Sequence, residues 1–156
     1  MKVQSGDMQE CVAEFLAGLS PRKDSAAVVT LSGELGAGKT TFVQGVAKAL
    51  GVAESVTSPT FVLEKIYPVR DASRSNGAGA LSRGFERLIH IDAYRLKGAH
   101  ELEALGWKEL LANAGNLIVL EWPERVAEAM PEDAVRIRFD IHGDERTISI
   151  NGQEKD

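Results

Sequence analysis

The length, composition and charge of the chain exclude several classes of protein. Its 156 residues suffice for one domain with its own core, and 44% hydrophobic and 26% charged residues are typical of a globular protein. No apolar run approaches the roughly 20 residues that cross a bilayer, so we expect a cytoplasmic protein without a membrane-spanning segment. The net charge of −5 argues against a domain that binds nucleic acid by itself, because phosphate neutralisation needs clustered Lys and Arg.

The N-terminal segment is predicted to form an amphipathic helix. Asp7 and Glu10 have the spacing of a capping box, apolar side chains follow at helical spacing, and Pro21 ends the segment. The single cysteine, Cys11, cannot form an intramolecular disulfide, and it falls on the apolar side of this helix. We therefore expect Cys11 to be a buried structural thiol.

The rest of the chain alternates predicted strands with predicted helices. We expect strands over residues 26–32, 61–67, 88–92 and 117–121, helices over 41–50 and 101–112, and an antiparallel hairpin over 135–141 and 147–150. Residues 68–86 show no periodicity and are expected to form a mobile surface loop. This order predicts an α/β fold, a three-layer sandwich whose mainly parallel sheet carries a C-terminal antiparallel hairpin.

The glycine-rich turn after the strand over 26–32 carries the clearest motif. Its sequence is Gly33-Glu34-Leu35-Gly36-Ala37-Gly38-Lys39-Thr40, which has the P-loop pattern GxxxxGK(S/T). In this pattern backbone N–H groups surround the phosphates, the lysine reaches the β- and γ-phosphates, and the last hydroxyl ligates Mg²⁺. The motif predicts that residues 1–156 form a single P-loop NTPase domain that binds ATP and magnesium.

Two acidic residues complete the predicted site. Asp92 and Glu121 each end a buried apolar run, and ligands of open α/β sheets collect at the carboxyl edge of the strands. A P-loop protein uses carboxylates at this edge for the magnesium shell and for the attacking water. The pattern alone leaves open which acid serves the metal and which serves the water.

Two further segments are placed where a nucleotide site could use them. Ser58-Pro59-Thr60-Phe61 follows the P-loop helix. This is the position of a switch loop, whose threonine can sense the γ-phosphate. The alternative interpretation of this segment is a plain proline turn. Trp122 lies directly between Glu121 at the end of the strand and Pro123, so its side chain cannot extend far into a core. We expect the Trp122 ring to stack on a base or to lie over the site.

Four of these segments together resemble one bacterial protein family. They are Gly33-Glu34-Leu35-Gly36-Ala37-Gly38-Lys39-Thr40-Thr41, Ser58-Pro59-Thr60-Phe61, His90-Ile91-Asp92-Ala93-Tyr94-Arg95 and Glu121-Trp122-Pro123-Glu124. Their order and spacing are similar to those of the P-loop ATPases of tRNA threonylcarbamoyladenosine biosynthesis, over nearly the whole chain. The resemblance implies a single-domain ATPase that acts with two partner subunits. These partners transfer threonylcarbamoyl to adenosine 37 of tRNAs that read codons beginning with adenine, and the ATPase sustains their turnover, with tRNA only an indirect partner.

The resemblance also implies roles for individual residues. The nucleotide-binding residues would be Gly33, Leu35, Gly36, Ala37, Gly38, Lys39, Thr40, Thr41, Trp122 and Arg146. Thr40 and Glu121 would hold Mg²⁺, while Lys39 and Asp92 would be catalytic, Asp92 by orienting the attacking water. Gln9 stands where the family often has a threonine that approaches the adenine, so this chain departs from the pattern there.

Two functions of other classes remain as alternatives. A small-molecule kinase would also need a P-loop, magnesium and a mobile arginine-bearing lid, which residues 70–87 could supply, although no acceptor-binding segment is evident. A GTP-dependent switch normally reads guanine with an Asn-Lys-x-Asp segment after a late strand, and the sequence contains no such segment. An acceptor screen and a competition between ATP and GTP would separate these alternatives from an ATPase.

Overall fold

The fold consists of short helices and strands that alternate along the chain. The computed structural model describes residues 2–4, 8–19, 21–34, 37–54, 56, 63–69, 84–143 and 145–151. The strands are β1 (Lys2–Gln4), β2 (Ala27–Gly33), β3 (Glu64–Pro68), β4 (Arg87–Asp92), β5 (Asn116–Glu121), β6 (Val135–His142) and β7 (Glu145–Asn151). The helices are α1 (Met8–Ala17), α2 (Lys39–Leu50), α3 (His100–Glu103), α4 (Trp107–Leu111) and a 3₁₀ helix (Pro123–Ala129).

The strands form a mixed sheet with a parallel centre. Within the described residues, seven strands form one sheet in the order β1-β7-β6-β2-β5-β4-β3. β2 pairs in parallel with β5 and β6, and β4 pairs in parallel with β5. The pairs β1–β7, β6–β7 and β3–β4 are antiparallel. The α/β class and the C-terminal hairpin are confirmed, and antiparallel pairing also occurs at both edges, where the sequence had not indicated it.

Helices pack against both faces of this sheet. On one face, α1 and α2 bury Phe15 and Phe42 against Phe139 of β6, with ring centroids 5.5 and 5.7 Å apart in edge-to-face geometry. Such pairs contribute about 0.5–1.5 kcal/mol each beyond their burial. On the other face, Leu102, Trp107 and residues of the 3₁₀ helix pack together. β2 contributes to both faces, as expected of a strand buried on both sides.

The first helices agree closely with the sequence prediction. Cys11 of α1 is fully buried, and burial raises the pKa of its thiol to about 11, so the predicted structural thiol is confirmed. The predicted cap residue Asp7 lies outside the described residues. α2 begins at Lys39, two residues before its predicted start, and ends at Leu50, followed by Gly51 with the left-handed φ of 85° expected of a C-cap.

The prediction of one helix over residues 101–112 is wrong. The chain forms α3 and α4, separated at Gly106, whose φ of 82° is incompatible with a continuous right-handed helix. β1 and the 3₁₀ helix were not predicted, because three residues and two short helical turns carry no clear periodicity. Of the predicted loop over 68–86, residues 70–83 lie outside the described residues. Among the helices that the structure describes, none has the length and apolar character to cross a bilayer.

Candidate functional site

The carboxyl ends of the central parallel strands bring the predicted acids together. In the register of β4 and β5, Asp92 lies directly beside Glu121, and in that of β2 and β5, Leu31 lies on the other side of Glu121. Both acids are buried, with 8% of Asp92 and 4% of Glu121 exposed. Two carboxylates therefore occupy adjacent positions at the edge from which the chain enters the glycine-rich turn.

The glycine-rich turn leaves β2 in a conformation that other residues would not adopt. Gly33 has a φ of 140°, and a Cβ there would lie 2.4 Å from the carbonyl oxygen of Phe139 on β6. The N–H of Ala37 donates to the carbonyl of Glu34, and α2 begins directly after Gly38. The N-terminal end of a 12-residue helix, whose first N–H groups have no partner within the helix, thus points its positive dipole end into this edge, which favours an anion there.

Lys39 is buried inside the turn that carries it. Only 4% of the residue is exposed, its Nζ donates a hydrogen bond of 2.6 Å to the carbonyl of Gly33, and Nζ lies 4.1 Å from the centroid of the Trp122 ring. Burial lowers the pKa of the Lys39 amino group, and the nearby carboxylates, those of Glu121, Asp92 and Glu124, oppose that shift. The Lys39 amino group is thus held beside both acids, with a neutral carbonyl as its hydrogen-bond acceptor.

Aromatic side chains border the acids on the outer side. Trp122 has a left-handed backbone (φ 61°, ψ 54°), and its N–H donates to the carbonyl of Leu31. Its ring lies against Tyr94, at 5.0 Å between centroids, and the Arg125 guanidinium lies 5.4 Å from the Tyr94 ring. The Tyr94 N–H donates to Asp92 Oδ1 at 3.0 Å. This contact fixes one carboxylate oxygen of Asp92.

A second contact fixes Glu121, and sequence reasoning missed it. His90 Nε2 lies 2.5 Å from Glu121 Oε2, with both side chains buried. The signal was present in the sequence, because His90 precedes Asp92 by two residues and so lies on the same face of the strand. Its contact with a neighbouring strand, however, required the register of β4 and β5.

Comparisons with known proteins identify the family. The family model "Threonylcarbamoyl adenosine biosynthesis protein TsaE" matches residues 4–148. The chain belongs to the TsaE family. A relative with the name tRNA threonylcarbamoyladenosine biosynthesis protein TsaE, from Streptomyces coelicolor, is 44% identical over 72% of this chain and 68% of that protein. The protein of the same name from Treponema pallidum is 37% identical over 81% of this chain and 83% of that protein. The resemblance read from the sequence motifs is confirmed.

A solved structure has a similar fold. The crystal structure of Bacillus subtilis YdiB matches with a TM-score of 0.63 at 28% identity, covering 96% of this chain and 83% of that one. The α/β architecture is therefore shared with a relative over almost the whole length of this TsaE-family chain.

The structure brings most of the predicted site residues together. Gly33, Lys39, Asp92, Glu121 and Trp122 meet at one edge of the sheet through the contacts above. Their neighbours Ala37, Gly38 and Thr40 lie between β2 and the first turn of α2, and Thr41 is an exposed residue of that turn.

Other predicted residues are placed only in part. Arg146 lies in β7 opposite Ile141, beyond Phe139 on the same edge, but its side chain is outside the described part. Leu35, Gly36 and the predicted switch segment 58–61 also lie outside it, as does most of the proposed kinase lid. Gln9 is an exposed residue of α1.

The space beside the turn is large enough for part of a nucleotide. A groove of about 410 Å³ opens next to Gly33 and Trp122. In the described part of the chain, no group of three or more His, Cys, Asp or Glu side chains could hold a metal ion by itself. Mg²⁺ is usually held by one or two carboxylates together with substrate phosphates and other oxygen ligands. The carboxylate of Glu121 and the hydroxyl of Thr40 are oxygen ligands of this kind.

Proposed function

We propose that this chain is the ATP-binding and ATP-hydrolysing subunit of the machinery that installs threonylcarbamoyl on adenosine 37 of tRNAs reading codons that start with A. It acts in the cytoplasm with two partner subunits, which carry out the transfer and contact the tRNA. The names of its TsaE relatives support the pathway. The observation that carries the proposal is the position of Lys39, at the start of α2 and beside the adjacent carboxylates of Asp92 and Glu121.

Lys39 is the group that would bind the phosphates. Its ammonium group donates to the Gly33 carbonyl, a neutral acceptor, at 2.6 Å. Charged oxygens are stronger acceptors than carbonyls, so a triphosphate in the turn would draw Nζ from Gly33 to its β- and γ-oxygens. The N-terminal N–H groups of α2 would bind the same phosphates. Burial lowers the pKa of the Lys39 amino group, and the acidic surroundings oppose that shift and so favour the charged form.

The two carboxylates divide the remaining roles. Glu121 and the Thr40 hydroxyl would hold Mg²⁺, which supplies charge neutralisation to the phosphate oxygens. Asp92 Oδ1 is occupied by the Tyr94 N–H. We assign Asp92 Oδ2 to the attacking water, which it would orient and whose proton it would accept. Trp122, whose ring lies beside Lys39 and lines the groove, would exclude bulk water from the phosphates.

Partner subunits are expected to accelerate the reaction. Arg138 lines the groove, and its Nε donates to Asp140 Oδ1 at 3.1 Å. Arg125 lies over the Tyr94 ring, which contacts the Trp122 ring. Charge that develops on the transferred phosphoryl group would be met by Lys39 and by a metal ion held by Glu121 and Thr40, and a partner would add further positive charge. A cation supplied in trans commonly accelerates such reactions by ~10³ or more.

Equilibrium binding tests the nucleotide site directly. ATPγS and GTPγS are titrated into the purified protein by calorimetry, with Mg²⁺ and with EDTA. The proposal expects tighter binding of ATPγS than of GTPγS and tighter binding with Mg²⁺ than without it. Binding of neither nucleotide would reject the site, and preference for GTPγS would favour the switch.

A further inference from the structure

A buried histidine contacts the carboxylate that we assign to the metal. His90 Nε2 lies 2.5 Å from Glu121 Oε2, and the His90 side chain is fully buried. A carboxylate can only accept hydrogen bonds, so Nε2 carries the hydrogen and donates it. This bond restrains one of the two oxygens of Glu121 and so limits rotation of the whole carboxylate.

His90 lies on the same face of the sheet as the two acids, further from the carboxyl edge of the strands. Asp92 and Glu121 are direct neighbours in the register of β4 and β5, and His90 is the neighbour of Val119, two pairs further from the edge. Alternate residues of a strand share a face, so His90, Asp92 and Glu121 lie on the face that α2 covers. The imidazole thus lies one layer of side chains below both acids and contacts one of them.

The environment of the second ring nitrogen of His90 indicates that this residue does more than fill space in the core. His90 Nδ1 is buried and has no hydrogen-bond partner within the part of the chain that the structure describes. A buried polar atom without a partner opposes folding, so an apolar side chain would serve the core better at this position. What histidine provides here, and an apolar residue would not, is the hydrogen bond to Glu121.

We propose that His90 is a positioning residue that holds the Glu121 carboxylate in the orientation that binds Mg²⁺. The proposal rests on the function proposed above for this site. Hydrogen-bond partners of metal ligands act in this way in other sites, because a ligand whose orientation is already fixed loses less freedom when the metal binds.

Two substitutions separate the hydrogen bond from the volume of the side chain. His90→Leu fills the same core but cannot donate to Glu121, whereas the His90→Gln amide can place a donor where Nε2 lies. His100→Ala is the matched control, because His100 is an exposed histidine of α3. The affinity for ATPγS is measured for each by calorimetry, with Mg²⁺ and with EDTA, beside the thermal unfolding temperature.

The expected result is a loss confined to the magnesium-dependent part of binding. His90→Leu should bind ATPγS about 10-fold or more weakly in Mg²⁺ and nearly as well as the wild type in EDTA. His90→Gln should recover most of this loss, and His100→Ala should match the wild type. If His90→Leu does not fold, His90→Asn, whose shorter amide does not reach Glu121, takes its place in the comparison with His90→Gln.

Other outcomes overturn one proposal or the other. An equal loss of affinity in Mg²⁺ and in EDTA, or no loss in either, would reject the positioning role and leave the nucleotide site intact. A wild-type protein whose ATPγS affinity does not rise with Mg²⁺ would instead reject the metal site of the proposed function.

Discussion

Replacing Lys39 with methionine separates the phosphate contact from the packing of the same side chain. Lys39 is 4% exposed, and its ammonium group lies between the Gly33 carbonyl and the Trp122 ring. Methionine keeps an unbranched apolar stem of similar length but has neither the charge nor the donor. The substitution therefore removes what a phosphate would bind while it leaves the core between β2 and α2 filled.

The expected loss of affinity follows from the contacts that Lys39 exchanges. Hydrogen bonds to charged groups contribute about 1.5–3 kcal/mol each, and the bond to Gly33 that must be given up contributes about 1 kcal/mol. Two phosphate contacts minus one carbonyl contact leave roughly 2–5 kcal/mol, which corresponds to a loss of affinity of roughly 30- to 4000-fold. The substitution removes the contacts of the ammonium group with Gly33 and Trp122, but it also removes the cost of burying a charge. Because these two effects oppose each other, the free energy of unfolding should change by less than about 1 kcal/mol.

Calorimetric titration with ATPγS and Mg²⁺ measures this loss. Lys48→Met is the matched control, because Lys48 is an exposed lysine in the last turn of the same helix. Thermal unfolding of both variants checks that the fold is intact. If Lys39→Met bound ATPγS as tightly as Lys48→Met, the assignment of the glycine-rich turn as the phosphate site would be refuted.

Two further predictions concern the buried acids. Asp92→Asn should keep Mg²⁺-dependent binding of ATPγS and lose ATP hydrolysis, whereas Glu121→Gln should weaken binding in Mg²⁺ but not in EDTA. Calorimetric titration and a phosphate-release assay of both variants test this. The reversed pattern would exchange the roles of the two acids. Glu64 of β3 is a different case, because its Oε2 is buried without a hydrogen-bond partner among the described residues and burial raises its pKa. The ionised carboxylate therefore opposes folding above that pKa, and Glu64→Gln should stabilise the protein at pH 7 by about 1 kcal/mol. The advantage of the amide should shrink as the pH falls through the native pKa of Glu64, and equal unfolding temperatures of the two proteins at pH 7 would contradict the reasoning.

The parts of the site that are contiguous in the sequence could be predicted, because each depends on local rules. The turn from Gly33 to Lys39 has fixed spacing, and Asp92 and Glu121 end apolar runs that are long enough to be strands. That these two acids are direct neighbours follows from parallel strands ending at one edge, and the register of β4 and β5 confirms it.

The contacts between distant segments could not be predicted in the same way. The bond from His90 to Glu121 depends on register and rotamers, and neither is encoded in the spacing within one strand. The left-handed backbone of Trp122, which orients its ring toward Lys39, is held by a hydrogen bond to Leu31 on another strand. Gly106, in contrast, is a local signal for the end of a helix. The apolar periodicity on both sides of it led to the prediction of one continuous helix.

Phosphate release in the presence of the partner subunits tests the central claim most directly. ATP turnover is measured for the chain alone, with the purified partner pair, and with the pair and tRNA, using Lys39→Met as the inactive control. The account predicts very slow release by the chain alone and acceleration of ~10³ or more with the partner pair, because a partner would supply an additional cation in trans. Fast release by the chain alone, unchanged when the partners are added, would contradict the account and favour the kinase alternative.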